Sequence, residues 1–167
     1  MNATIGIDVG KSGFLCCLPM VGPPEFAPMP MIVPSGGKGK RRYDVSGLVV
    51  TLMDWMRRYD IHLAAIERQQ VHPGQGSVSC FSLGEGFGLL VGIAAALGLP
   101  TETPHPRTWQ AEMMRDTPGS DPKARSIEVA GRLFPTVDLR PTERCRVPDH
   151  NKSDSLLLAE WARRRIG

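Results

Sequence analysis

Three acidic side chains stand where acids are costly. Asp8 sits in Ile5-Gly6-Ile7-Asp8-Val9-Gly10, Glu67 closes Leu63-Ala64-Ala65-Ile66-Glu67, and Asp154 lies in His150-Asn151-Lys152-Ser153-Asp154, one turn into the last helical pattern. A charge on an otherwise apolar strand is expensive unless it is paired or metal-bound, and these strands offer no basic partner of their own. Oxygen ligands from separate elements suit a hard divalent cation, Mg²⁺ or Mn²⁺. His150 and Asp154 are four apart and share a helix face, whereas Asp149 and Asp154 are five apart and diverge. A helix that starts by residue 150 makes His150 the better co-ligand and Asp149 the better N-cap, and the fourth ligand is one of these two. Taken singly, a strand-end acid is more often a turn residue and a lone histidine a surface one. The conjunction points to a metal site, and no Ser-His-Asp or Cys-His arrangement competes with it.

The elements that must position these groups follow from patterning. Residues 4–9 alternate and are rich in β-branched side chains, and 14–18 continue as the second arm of a hairpin. Residues 29–33 read as a third strand, at an edge because of the flanking prolines. Residues 35–42, Ser-Gly-Gly-Lys-Gly-Lys-Arg-Arg, read as a basic loop. Asp44 or Ser46 caps a helix running to Tyr59, with Leu48, Leu52, Trp55 and Met56 on one face. A buried strand is expected over 61–67, a Gly/Gln/Ser-rich loop over 68–79, and a helix over 81–97 whose glycines signal close approach of another backbone or a ligand. A short strand over 99–103 and helices over 106–114, 123–133 and 150–164 complete a mixed α/β sheet with helices on its faces. The whole chain, 1–167, reads as one domain.

Composition narrows the partners. The 167 residues are 41% hydrophobic and 22% charged, with a formal net charge of +3, so wholesale disorder is excluded and a polyanion would be met by local clusters. Cys16, Cys17, Cys80 and Cys145 form no CxxC pair and read as reduced thiols of a cytoplasmic protein. The apolar stretch 89–99, broken by Gly92 and Gly98, is far short of a membrane span. Phosphate contacts are expected from Lys38, Lys40, Arg41, Arg42, Lys123, Arg125 and Lys152. The loop after Glu67 offers Gln69, Gln70, His72 and Gln75 for base edges.

With these motifs in place the sequence resembles the RuvC-like Holliday junction resolvases of the ribonuclease H superfamily, in the branch found in phages, bacteria and organelles. The segments that carry the likeness are Ile5–Gly10, Ile66-Glu67, Pro73–Gly88, Pro104–Trp109 and His150–Ala159. The first is shared with sugar kinases and actin-like ATPases, whose two-domain fold the chain is too short to form. The resemblance implies a ribonuclease H-like mixed five-stranded sheet with helices on both faces. It implies two Mg²⁺ or Mn²⁺ ions held by Asp8, Glu67, His150 and Asp154, with Lys123 near the scissile phosphate and no organic cofactor. Gln110 stands where the family has a lysine, a contact that Lys152 or Arg107 would replace. The implied activity is paired, symmetric nicking of four-way DNA junctions by a homodimer, with the glycine-rich helix as the dimer face. Another ribonuclease H-like nuclease, of transposase or RNA-processing type, and a non-catalytic junction-binding scaffold are the competing readings.

Overall fold

A computed structural model describes residues 1–33, 41–71 and 73–166. Among them, β1 (Asn2–Ile7), β2 (Phe14–Pro19), β3 (Glu25–Pro28), β6 (Asp60–Ile66) and β7 (Thr101–Glu102) form one five-stranded sheet in the order β3-β2-β1-β6-β7. β1 runs antiparallel to β2 and parallel to β6, so the sheet is mixed. The short strands β4 (Met31–Ile32) and β5 (Arg42–Tyr43) pair separately. The helices are α1 (Val45–Arg58), α2 (Ser77–Ala96), α3 (Pro106–Met113), α4 (Pro122–Leu133) and α5 (His150–Ile166).

Strand alternation sends successive side chains to opposite faces, and the sheet accordingly carries two cores. Ile5, Ile7, Leu15, Cys17 and Ile66 pack with Leu48, Leu52 and Trp55 of α1 and Leu90, Ile93 and Ala94 of α2. Cys16, Leu18, Leu63 and Ala65 face the other way, against Trp109 of α3, Val129 of α4 and the buried run Leu156–Ala159 of α5. The expectation of helices on both faces is met.

α5 rests directly on β1. Thr4 Oγ1 donates to the Ala159 carbonyl at 2.8 Å, and a Cβ at Gly6 would lie 2.1 Å from the Ser155 carbonyl oxygen and 2.3 Å from Ala159 N. Gly6 is therefore what lets a helix backbone rest directly on a strand, and it fixes how far α5 stands from the end of β1.

Two expectations need correction. The third sheet strand is Glu25–Pro28, paired with β2, while Met31–Ile32 forms the separate ribbon with Arg42–Tyr43. Glu25 stabilises that edge: its carboxylate accepts from Arg58 Nη1 and Nη2 at 2.6 and 2.7 Å and from the Tyr59 hydroxyl at 2.5 Å. α2 starts at Ser77, four residues before the expected 81, on a Gly76 N-cap without a side-chain bond. As one 20-residue helix of mean hydropathy 1.6, α2 is long and apolar enough to cross a membrane by length and composition. Its Leu90, Ile93 and Ala94 are built into the core on the sheet instead. Asp44 is the cap of α1, accepting from Gly47 N at 3.0 Å.

Two outcomes follow. Gly6→Ala should lower unfolding stability by about 3 kcal/mol in urea denaturation, because the added methyl meets backbone that cannot rotate away. The Arg58 hydrogen bonds hold the Glu25 carboxyl at about 2 rather than 4.5, so its stabilisation is present above the ordinary value and lost as pH falls through the lower one. Wild-type stability should therefore drop between about pH 4.5 and pH 2, and Glu25→Gln should flatten that limb in acid titrations followed by circular dichroism.

Candidate active site

Strand pairing brings the first two carboxylates together. The β1–β6 register runs Gly6↔Ala65 and Ile7↔Ile66, and Glu67 N continues it by donating to the Ile7 carbonyl at 3.1 Å. Asp8 and Glu67 thus leave the adjacent strand ends at matching positions. Alternation from Gly6 and Ala65 turns both toward the α5 face. Asp8 is held at the hairpin turn, its N–H donating to the Phe14 carbonyl at 3.0 Å. Since Ser155 and Ala159 lie on Gly6, the turn of α5 before them lies beside Asp8 and carries Asp154. Asp149 caps the helix, its carboxylate accepting from Asn151 N at 2.8 Å, which leaves His150 as the first helical residue.

Asp8, Glu67, His150, Asp154 and Lys123 line one cleft of about 600 Å³. Asp8 is buried, and its Oδ2 has no hydrogen-bond partner. Burial, then the charges of Glu67 and Asp154, push its carboxyl well above the usual carboxylate range. Burial raises Glu67 as well, offset by the Trp109 indole N–H, which donates to Oε1 at 3.0 Å. Asp154 is pushed up to about 7 by burial, against the opposing hydrogen bond from the Ser126 hydroxyl. Burial and Lys123 hold His150 below its ordinary value, so its ring keeps a free lone pair at neutral pH.

Among the described residues, no three His, Cys, Asp or Glu side chains already close on a point as a finished ligand set. Glu67 is held by the Trp109 indole and Asp154 by the Ser126 hydroxyl. The chemistry of the donor set still fits a hard divalent cation: buried carboxylate oxygens, one of them without any partner, and a neutral imidazole at the rim.

Gln69, Gln70 and Gln75 line the same cleft, together with Arg107. Lys38, Lys40 and His72 lie outside the described residues. Arg41 and Arg42 are exposed at β5, away from the cleft lining. Lys152 points elsewhere: its ammonium donates to the Arg140 carbonyl at 2.9 Å and sits 4.6 Å from the Phe26 ring centroid. Two residues separate it from Asp154, roughly 200° around a helix, so it cannot replace the family lysine in the cleft. Arg125 is turned inward, donating to the Met114 carbonyl at 2.6 Å. Its task is to fasten the loop ahead of α4.

The sequence reading gave no role to Trp109 and Ser126, which hold the two outer carboxylates, or to Arg68, which lines the cleft. It also missed His105, whose ring is hydrogen-bonded by the Gln70 side chain and caps α3 by accepting from Arg107 N. Trp109 and His105 fall inside the stretch 104–109 that carries the resemblance, which was the one available signal.

A mixed sheet with acids at the ends of its central strands, covered by a helix that brings another, defines an α/β protein of ribonuclease H-like class. Within it, the fold is RuvC-like. No protein-family model and no curated protein sequence matches the chain, but solved structures do. Thermus thermophilus RuvC in complex with Holliday junction substrate aligns over 99% of this chain and 96% of its own, at 14% identity and a TM-score of 0.60. Another Thermus thermophilus RuvC structure aligns over 95% of this chain and 92% of its own, at 15% identity and 0.55. The yeast mitochondrial Holliday junction resolvase aligns over 95% of this chain and 76% of its own, at 12% identity and 0.53.

Removing one of three mutually repelling buried charges should relieve the metal-free protein. Without added divalent cation, Asp8→Asn should melt at a higher temperature than the wild type, because burial and the neighbouring Glu67 and Asp154 disfavour the carboxylate there. Mn²⁺ should raise the melting temperature of the wild type and leave that of Asp8→Asn nearly unmoved in differential scanning fluorimetry.

Proposed function

We propose that this protein is a structure-selective endodeoxyribonuclease that resolves four-way DNA junctions by paired, symmetric nicks. The observation that carries the reading is the gathering of Asp8, Glu67 and Asp154 in one cleft of a RuvC-like fold, with Asp8 Oδ2 buried and unpartnered. Asp8, Glu67, Asp154 and His150 would hold one or two Mg²⁺ or Mn²⁺ ions. Such ions supply activation of a water and neutralisation of the phosphate charge.

This chain's own residues do the rest. Lys123, exposed at the cleft, meets the scissile phosphate and offsets the acidic wall. Arg107 and Arg68 hold the same strand at the rim, a phosphate contact that places the substrate without reading its sequence. Trp109 and Ser126 fix the rotamers of Glu67 and Asp154. His150, kept neutral, orients the attacking water or ligates. In the hydrolysis the water oxygen bonds to phosphorus, the bond to the 3′-oxygen breaks, and the products carry a 5′-phosphate and a 3′-hydroxyl. Gln69, Gln70 and Gln75 face the junction centre, where their amides can bond base edges.

A junction with near two-fold symmetry is best met by a two-fold dimer. The outer face of α2 suits the contact: Phe81 is 73% exposed, and open space stands beyond Gly84, Gly88 and Gly92. A second copy laid against that glycine face would cover apolar surface that the sheet leaves bare.

The test is cleavage of a synthetic four-way junction in Mg²⁺ or Mn²⁺. Wild type should release symmetric nicks in opposing strands, and Asp8→Asn should cut at least about a hundredfold more slowly, since even residues behind metal ligands cost 10–100-fold. Junction binding should survive the substitution. Preferential cutting of RNA–DNA hybrid by the wild type, or equal cutting by Asp8→Asn, would overturn the assignment.

A further inference from the structure

At the turn between β1 and β2 two cations are locked together. Lys11 Nζ donates to the Arg41 carbonyl and Arg41 Nη2 donates to the Lys11 carbonyl, each at 3.0 Å. The Lys11 ammonium also stands 5.7 Å from the centroid of the Tyr43 ring. Tyr43 is itself fixed: its hydroxyl donates to the Val9 carbonyl at 3.0 Å, and its ring fills the notch left at Gly86 of α2. Among the described residues, neither Lys11 nor Arg41 forms an ion pair with a carboxylate. Backbone carbonyls orient both side chains and neutralise neither.

Two like charges held at one turn without a carboxylate partner favour an anion there. The position says which anion. Lys11 follows Asp8 by three residues, so their Cα atoms are at most about 11 Å apart, and the folded turn, with Gly13 N donating to the Gly10 carbonyl at 2.7 Å, keeps them nearer. Val9 and Tyr43 belong to the α1/α2 side of the sheet, whereas Lys123, His150 and Asp154 approach Asp8 from the other side. Cations thus flank the central acid on both sides, as a nucleic acid strand crossing it requires.

We infer that Lys11 and Arg41 form a clamp for a backbone phosphodiester flanking the scissile one, on the α2 side of Asp8. The clamp rests on the nucleic-acid reading given above and adds to it the path of the strand. Lys123 takes the phosphate on the α4 side, and the Lys11–Arg41 pair takes its neighbour.

The salt dependence of binding tests this. An Asp8→Asn parent binds a synthetic four-way junction, and separately a linear duplex of one arm, across a salt series. Lys11→Gln and Arg41→Gln should each reduce the slope of log K against log salt by about 0.9 and weaken junction binding about fivefold near 0.15 M salt, and the double variant about thirtyfold. Lys11→Arg, which keeps the charge, should keep the parent slope and show that the turn itself is not what was lost. Arg57→Gln, at the far end of α1, should match the parent. A double variant with the parent's slope and affinity overturns the clamp alone. A parent that binds neither DNA overturns the nuclease reading and the clamp with it, and a parent that binds the junction no better than the duplex overturns only the junction preference.

Discussion

Carboxylates gathered beside one another in a low-dielectric wall repel, and the gathering costs free energy that a structural role does not require. Asp8, Glu67 and Asp154 are all held above the usual carboxylate range by their own burial, two of them additionally by their acidic neighbours. Trp109 and Ser126 donate to the outer two, and the central one has an oxygen with no partner. A stability-driven sequence would place amides or apolar side chains here. The acids make physical sense as the donor set of the proposed cation site, since perturbed carboxylates gathered in a cleft mark functional sites.

The scaffold exists to enforce that gathering. Register between β1 and β6 puts Asp8 beside Glu67, Gly6 lets α5 rest on the strand, and the Asp149 cap sets where α5 begins. The second face of the sheet, packed by α1 and α2, contributes no acid to the cleft. It anchors Tyr43, and with it the basic corner at Lys11 and Arg41. One layer therefore supplies the acids, and the other anchors the basic corner proposed to hold a flanking phosphate.

Much of this was legible in the sequence for identifiable reasons. Residues 61–67 and the pattern after Asp149 are dense enough in apolar residues that periodicity finds them, and Asp44 precedes α1 as an ordinary N-cap. The acids stood out because they interrupt apolar runs. What escaped was set by distant contacts. β3 was hidden because Glu25 and the surrounding prolines break any alternation, and its stabilising partners, Arg58 and Tyr59, lie more than thirty residues on. The start of α2 reads as loop because Gly76, Ser77 and Ser79 are turn-formers that only the tertiary fold makes helical. Lys152 is near Asp154 in sequence yet faces Phe26 across the sheet edge, and no local pattern shows that the Trp109 indole reaches back to Glu67.

The claim on which all of this stands is that the end of β1 and β6, under the first turns of α5, is built to hold a divalent cation. Crystals grown with Mn²⁺ and measured at the manganese absorption edge test it directly. The account predicts anomalous density between Asp8, Glu67 and Asp154, with those carboxylates drawn off Trp109 and Ser126 toward it. Ordered manganese bound only elsewhere on the molecule, with the three acids left on their present partners, would contradict it.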